Sequence, residues 1–181
     1  MYCRELNSKI LITNKERSVS LLRNKDITNE KEKAIRKISS EIEAWFAKQP
    51  DCEWLSEKPG IFDLIGESFY QAQVRYSVED GYISITNNQN KQTKMNTDEL
   101  LMYAHELYSY NNEDYLKNLF FLVKESENML EASDYAAEIY RIQYNILMLS
   151  AAYRNTELYM SQFYKLKSAM PELPFYKKEG R

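Results

Sequence analysis

The sequence predicts an α+β fold, mainly helical, with a small N-terminal sheet or hairpin and one helix followed by two helical hairpins. Three observations carry that expectation. Apolar residues recur at three- and four-residue intervals through most of the second half, a two-residue alternation flanks Glu79-Asp80-Gly81, and two stretches near the C-terminal end repeat each other at a constant offset of 43.

The first 27 residues hold one short apolar alternation, Lys9-Ile-Leu-Ile-Thr13, and then Ser18-Val-Ser-Leu-Leu22; both read as short strands. Asn29 and Glu32 stand at capping-box spacing, and behind them Ala34, Ile35, Ile38, Ile42, Trp45 and Phe46 recur at helical intervals, with charged residues between. The pattern predicts an amphipathic helix over 30–48, ended by Pro50. Residues 51–60 read as a loop holding Trp54. From Tyr70 the period becomes two: Tyr70, Ala72, Val74, Tyr76 and Val78 share one face, Glu79-Asp80-Gly81 turns the chain, and Tyr82-Ile-Ser-Ile-Thr86 returns as the partner strand. The polar stretch from Asn87 to Asn96 lacks apolar periodicity and reads as a linker. It divides the chain into an α/β part over 1–95, a helical-hairpin part over 96–171 and a tail over 172–181, packed as one unit.

The helical part opens on Asn96-Thr-Asp-Glu99, where Asn96 or Thr97 can cap the first turn and the acids sit at the positive end of the dipole. A helix is expected to about Tyr110, broken by Asn111-Asn112. A second, over 113–131, turns Leu116, Leu119, Phe120, Val123 and Leu130 inward. The third, over 134–153, is the most apolar: Tyr135, Ile139, Ile142, Ile146, Leu149 and Tyr153 step by three and four, and Ala136, Tyr140, Tyr144, Leu147 and Ala151 add a second stripe. A helix apolar around most of its circumference needs cover on two sides, so this one is expected at the centre. Arg154-Asn-Thr turns the chain into a fourth helix with Tyr159, Phe163, Leu166 and Met170 inward, stopped by Pro171.

In the repeat, Tyr110 matches Tyr153, Asn112 matches Asn155, Asp114 matches Glu157, Phe120 matches Phe163, Phe121 matches Tyr164 and Lys124 matches Lys167. This arrangement over 97–171 resembles, in degenerate form, tetratricopeptide-like arrays. The resemblance implies stacked helical hairpins and a binding scaffold.

With 181 residues, 44% apolar and 28% charged, the chain is long enough to bury a core without metals or disulfides and too apolar to be disordered. Cys3 and Cys52 are its only cysteines, which excludes a disulfide framework or a thiolate zinc cluster and suits a reducing, cytoplasmic setting. Neither a signal-peptide core at the start nor an apolar run long enough for a bilayer is present, so no membrane partner is expected. The net charge of -3 is divided, +5 over residues 1–40 and -8 over the rest. Frequent Tyr, Asn, Lys and Ile suit an AT-rich coding sequence, such as phages, plasmids and acquired islands carry.

No catalytic, cofactor or metal motif is legible. The one histidine, His105, has no second histidine to share a metal, Cys52 lies between two carboxylates that raise its pKa, and no glycine-rich loop precedes a helix. Tyrosine, 15 residues of the 181, is the remaining enrichment, and it supplies interface area at low entropic cost. The expectation is therefore a non-enzymatic protein-interaction module, an adaptor, chaperone or inhibitor, whose partner is another protein. Tyr103, His105, Tyr108, Tyr140 and Tyr144 are the candidate contact residues, placed to line a groove between helical hairpins. The alternatives are a nucleic-acid-associated regulator using Lys31, Lys33, Arg36 and Lys37, or an enzyme without a legible motif.

Overall fold

The computed structural model describes residues 14–58, 60–153 and 156–169. The chain is mainly helical with a small three-stranded antiparallel sheet, in the order α1 (Asn14–Phe46), a short 3-10 turn (Glu53–Glu57), α2 (Ile61–Gln71), β1 (Arg75–Val78), β2 (Ile83–Thr86), β3 (Gln92–Met95), α3 (Thr97–Glu125), α4 (Met129–Ala152) and α5 (Thr156–Ala169).

Helix α1 starts well before the expected Asn29 cap, so Asn29 and Glu32 are interior and Ser18–Leu22 is helical rather than a strand. The reason lies in residues 15–25, where Lys, Glu, Arg and Leu are strong helix formers. The expected strand at Lys9–Thr13 lies outside the described residues. The predicted apolar stripe holds: Ile42, Trp45 and Phe46 are buried, and Ile38 is partly so. The loop after α1 contains the 3-10 turn, in which Leu55 rather than Trp54 is the buried residue.

Helix α2 was not legible as such, because the alternation from Tyr70 overlaps its last turn. Its own signal is Ile61, Ile65 and Phe69, one face at intervals of four, all buried. Gly60 (φ 85°) opens it, and the left-handed turn at Gln73 (φ 51°) closes it, with Val74 N–H donating to the Phe69 carbonyl at 2.9 Å. The strand therefore begins at Arg75, not Tyr70. α2 lies against α1 through Gly66, where an added Cβ would collide with Ser39 Oγ and stand 2.9 Å from the Ile35 carbonyl oxygen. Gly66→Ala gains about 1 kcal/mol of helix propensity. Overpacking costs about 1 to 3 kcal/mol, and a backbone carbonyl cannot swing aside. A lowered melting temperature is expected, with Ser39→Ala in the same chain restoring only part of it; full stability in the single variant would show that the helices separate freely.

The hairpin forms at the expected turn, with Val78 opposite Ile83 and Glu79 N–H donating to the Tyr82 carbonyl at 3.0 Å. Trp45 of α1 and Gln49 just beyond it hold its tip: Trp45 Nε1 donates to the Glu79 carbonyl at 2.9 Å and Gln49 Nε2 to that of Asp80 at 3.1 Å. The expected linker is instead a second turn and a third strand. Asn87 Oδ1 accepts from the N–H groups of Gln89 (3.0 Å) and Lys91 (2.9 Å), and Gln92–Met95 pairs with β2. β3 escapes sequence detection because three of its four residues are exposed and polar, leaving only Met95 to face inward.

Asn96 caps α3 reciprocally, accepting from Glu99 N–H at 3.0 Å while Glu99 Oε2 accepts from Asn96 N–H at 2.9 Å. The expected break at Asn111-Asn112 does not occur. Asn112 is buried, and its Nδ2 donates to the Tyr108 carbonyl at 2.8 Å, so the amide bonds back along the helix instead of ending it. The turn falls at residues 126–128, where Asn128 caps α4. α4 is the central element: it packs on α3, α5 and α2, with Ile139, Ile142, Ile146 and Leu149 buried. α5 packs Leu166 against Leu147 of α4 in a second, smaller cluster, and the expected Met170 contact and Pro171 stop lie outside the described residues. The two copies of the 43-residue repeat fold differently, the first inside α3 and the second beginning just past the end of α4 and running into α5. One core cluster runs from Ile42 through Ile83 and Leu100 to Ala152, crossing the 95/96 division.

Candidate functional site

The five sequence candidates do not line one groove. Tyr103 leans from α3 onto α2, its ring 6.0 Å from that of Phe69. His105 and Tyr108 lie between α3 and α4. Tyr108 is 0% exposed, and its hydroxyl accepts from Asn145 Nδ2 at 2.9 Å; burial, ahead of any neighbouring charge, pushes its phenol up, so it stays protonated. Tyr140 and Tyr144 sit together on α4, 5.8 Å apart, with Tyr140 packed toward Tyr159, Phe163 and Leu166 of α5. Tyr144 has the most open ring of the five. Tyr108 and His105, expected to line a groove, are instead buried, at 0% and 6% exposed.

His105 stands edge-on to Tyr153 at 5.6 Å, and its Nε2 has no hydrogen-bond partner among the described residues. Burial holds its pKa below the ordinary value of 6.5, so the folded chain keeps the ring neutral. The unfolded chain binds that proton more readily. The His105 contribution to stability is therefore whole above about pH 6.5 and declines as pH falls below it. Melting temperature between about pH 7 and 5 is expected to fall more steeply in the wild type than in His105→Gln, which does not titrate there. Parallel curves would place the ring in solvent.

The open surface lies elsewhere, at the outer end of the α3–α4 hairpin. Buried positions are dense on α3 as far as Tyr108 and sparse beyond Asn112, where Leu119 is the one fully buried residue; on α4 none precedes Ile139. Around this thinly covered end stand Tyr110 (78% exposed), Phe121 (62%), Met129 (87%) and Leu130 (77%), with Tyr115, Phe120 and Leu122 also exposed. Phe120 and Leu130, expected inward, are thus outward. The sequence did carry a signal for this: Leu119-Phe-Phe-Leu-Val123 is five successive apolar residues, and successive helical residues are about 100° apart, so no single core can receive them all. Leu119 and Val123 take the core.

Beside Leu122 the hairpin turn opens a cleft of about 420 Å³ lined by Glu125, Ser126, Glu127, Asn128 and Glu131. Among the described residues no ion pair engages Glu125, Glu127 or Glu131, whereas Lys117 is held by Glu113 at 2.8 Å and Asp114 at 3.5 Å. Nor does any group of His, Cys, Asp and Glu among them stand ready to hold a metal ion, and no described helix is long and apolar enough to cross a membrane. Among the described residues, this end of the hairpin carries exposed apolar side chains and a cleft lined by three carboxylates. No family model matches this chain, and no curated protein and no solved structure matches it significantly.

Proposed function

We propose that this chain is a non-enzymatic protein-interaction module, an adaptor, chaperone or inhibitor, that holds another protein on the outer end of the α3–α4 hairpin. One observation carries the reading: Tyr110, Phe121, Met129 and Leu130 are largely exposed together on two adjacent helices, although the chain buries comparable side chains elsewhere. Aromatic and Met side chains are enriched at the centres of interaction sites. Tyr144, exposed farther along α4, is the sequence candidate best placed to extend the contact.

The nucleic-acid alternative gains no support from α1. Lys31, Lys33, Arg36 and Lys37 are exposed there, but Glu30 and Glu32 alternate with the lysines and break the positive strip.

Capture from the native host with wild-type chain as bait, repeated with Phe121→Asp and with Met129→Asp, tests the reading. Both variants are expected to melt within a few degrees of wild type, because both side chains already face solvent. Each should weaken recovery of the partner by about tenfold or more, the effect of losing one central anchor. Equal recovery by all three baits would remove this surface from consideration.

A further inference from the structure

We infer that α5 is a displaceable strap over an apolar groove on α4, and that the groove takes in its place an amphipathic helix of a partner protein. The inference goes beyond the proposal above and concerns a different stretch of α4. That helix has two apolar faces. Ile139, Ile142, Ile146 and Leu149 turn one of them into the main core, which draws on α1, α2, the sheet and α3 and includes no residue of α5. Tyr140 and Leu147, seven residues apart and so on one side of the helix, belong to the other. There Leu147 meets Leu166, with Tyr159 and Phe163 packed around the pair. Among the described residues, α4 is the element that holds α5, and Leu166 is the one described side chain of that 14-residue helix that is buried.

Segments that open on their own are those with few buried apolar contacts to the rest of the chain. Withdrawing α5 leaves the main core whole and bares Tyr140 and Leu147. The chain's own helix shows what the groove accepts: Tyr159, Phe163 and Leu166 stand at intervals of four and three, the spacing of a helix laid in a groove. A second copy's α5 would remake the same contacts and forgo the tether, because only residues 153–155 separate α4 from α5 and hold the chain's own helix at high effective concentration. A partner helix displaces α5 by burying more apolar surface than α5 does, and a strap with one buried leucine sets that threshold low.

The test uses the full chain and a labelled synthetic peptide with the sequence of Thr156–Ala169 as the trial helix, with binding read by fluorescence anisotropy. Leu166→Ala weakens the strap and leaves the groove intact. It is expected to melt within a few degrees of wild type and to bind the peptide at least about tenfold more tightly, because apparent affinity rises with the open fraction. Adding Leu147→Ala to that variant removes a wall of the groove and should cancel the gain, and a peptide carrying Phe163→Ser and Leu166→Ser should bind none of these chains. Amide exchange in wild type should be at least about a hundredfold faster in α5 than at Leu100 and Ile142. Exchange of α5 in step with those two, or a chain unfolded by Leu166→Ala, would make α5 part of the core and overturn the strap. Equal peptide affinity of wild type and Leu166→Ala would overturn the gating of the groove. A free chain that elutes as a dimer, and as a monomer in Leu166→Ala, would assign the groove to a second copy and overturn the partner.

Discussion

Ile146→Asp is expected to leave the chain unfolded at room temperature. Ile146 is 7% exposed on α4, the helix packed on α3, α5 and α2, in a core cluster whose members are nearly all aliphatic or aromatic. A carboxylate there has no cation to meet, and the cost of several kcal/mol is comparable with the whole stability of a single domain, about 5 to 15 kcal/mol. Protonation would reduce that cost without restoring the lost packing. Ile146→Val in parallel should cost only about 1 kcal/mol, which separates the buried charge from the lost volume. Far-UV circular dichroism and gel filtration read the result. An Asp variant that melts within a few degrees of wild type would show α4 to be peripheral.

Tyr108→Ala is expected to cost stability, about 3 to 5 kcal/mol for removing a fully buried aromatic ring. In a chain of this size that amounts to a fall of roughly 10 °C in melting temperature. Two effects combine. The ring is 0% exposed, and its hydroxyl is the acceptor for Asn145 Nδ2, which would be left inside the helix interface without a partner. Tyr108→Phe keeps the ring and loses only that acceptor, so about 1 to 2 kcal/mol is expected. Denaturant titration of both variants checks the order. An alanine variant as stable as wild type, yet defective in binding, would reverse the assignment and return Tyr108 to the contact surface.

How far the fold was legible follows from which positions had one environment and which had two. The stripe Ile139, Ile142, Ile146 and Leu149 has a single answer, because only a helix puts those residues on one side, and the central position of α4 followed from it. The turn at Glu79-Asp80-Gly81 was equally local. Asn111-Asn112 misled for a physical reason: an asparagine that ends a helix in water can, once buried, spend its amide on the preceding turn, and only the tertiary fold decides between the two. β3 failed the opposite way, since a strand with three exposed polar residues differs from a loop only through its partner. The rule that places helical apolar residues inside assigned Phe120 and Leu130 to the core, which they leave, while Tyr108 and His105, expected to line a groove, are buried.

The uninterrupted α3 has a consequence for geometry that a broken helix would not. One rod of 29 residues, about 43 Å long at 1.5 Å per residue, starts beside the sheet and ends at the open face, so the reach and the bearing of that face are fixed by a single residue count. One residue added near Asn111 would swing the far end by about 100°. Seven added to α3, matched on α4, would carry it about 10 Å outward at nearly the same bearing. The separation between sheet and open face can therefore change only in steps of about two helical turns, and a hinge at Asn111-Asn112 would have removed that restriction.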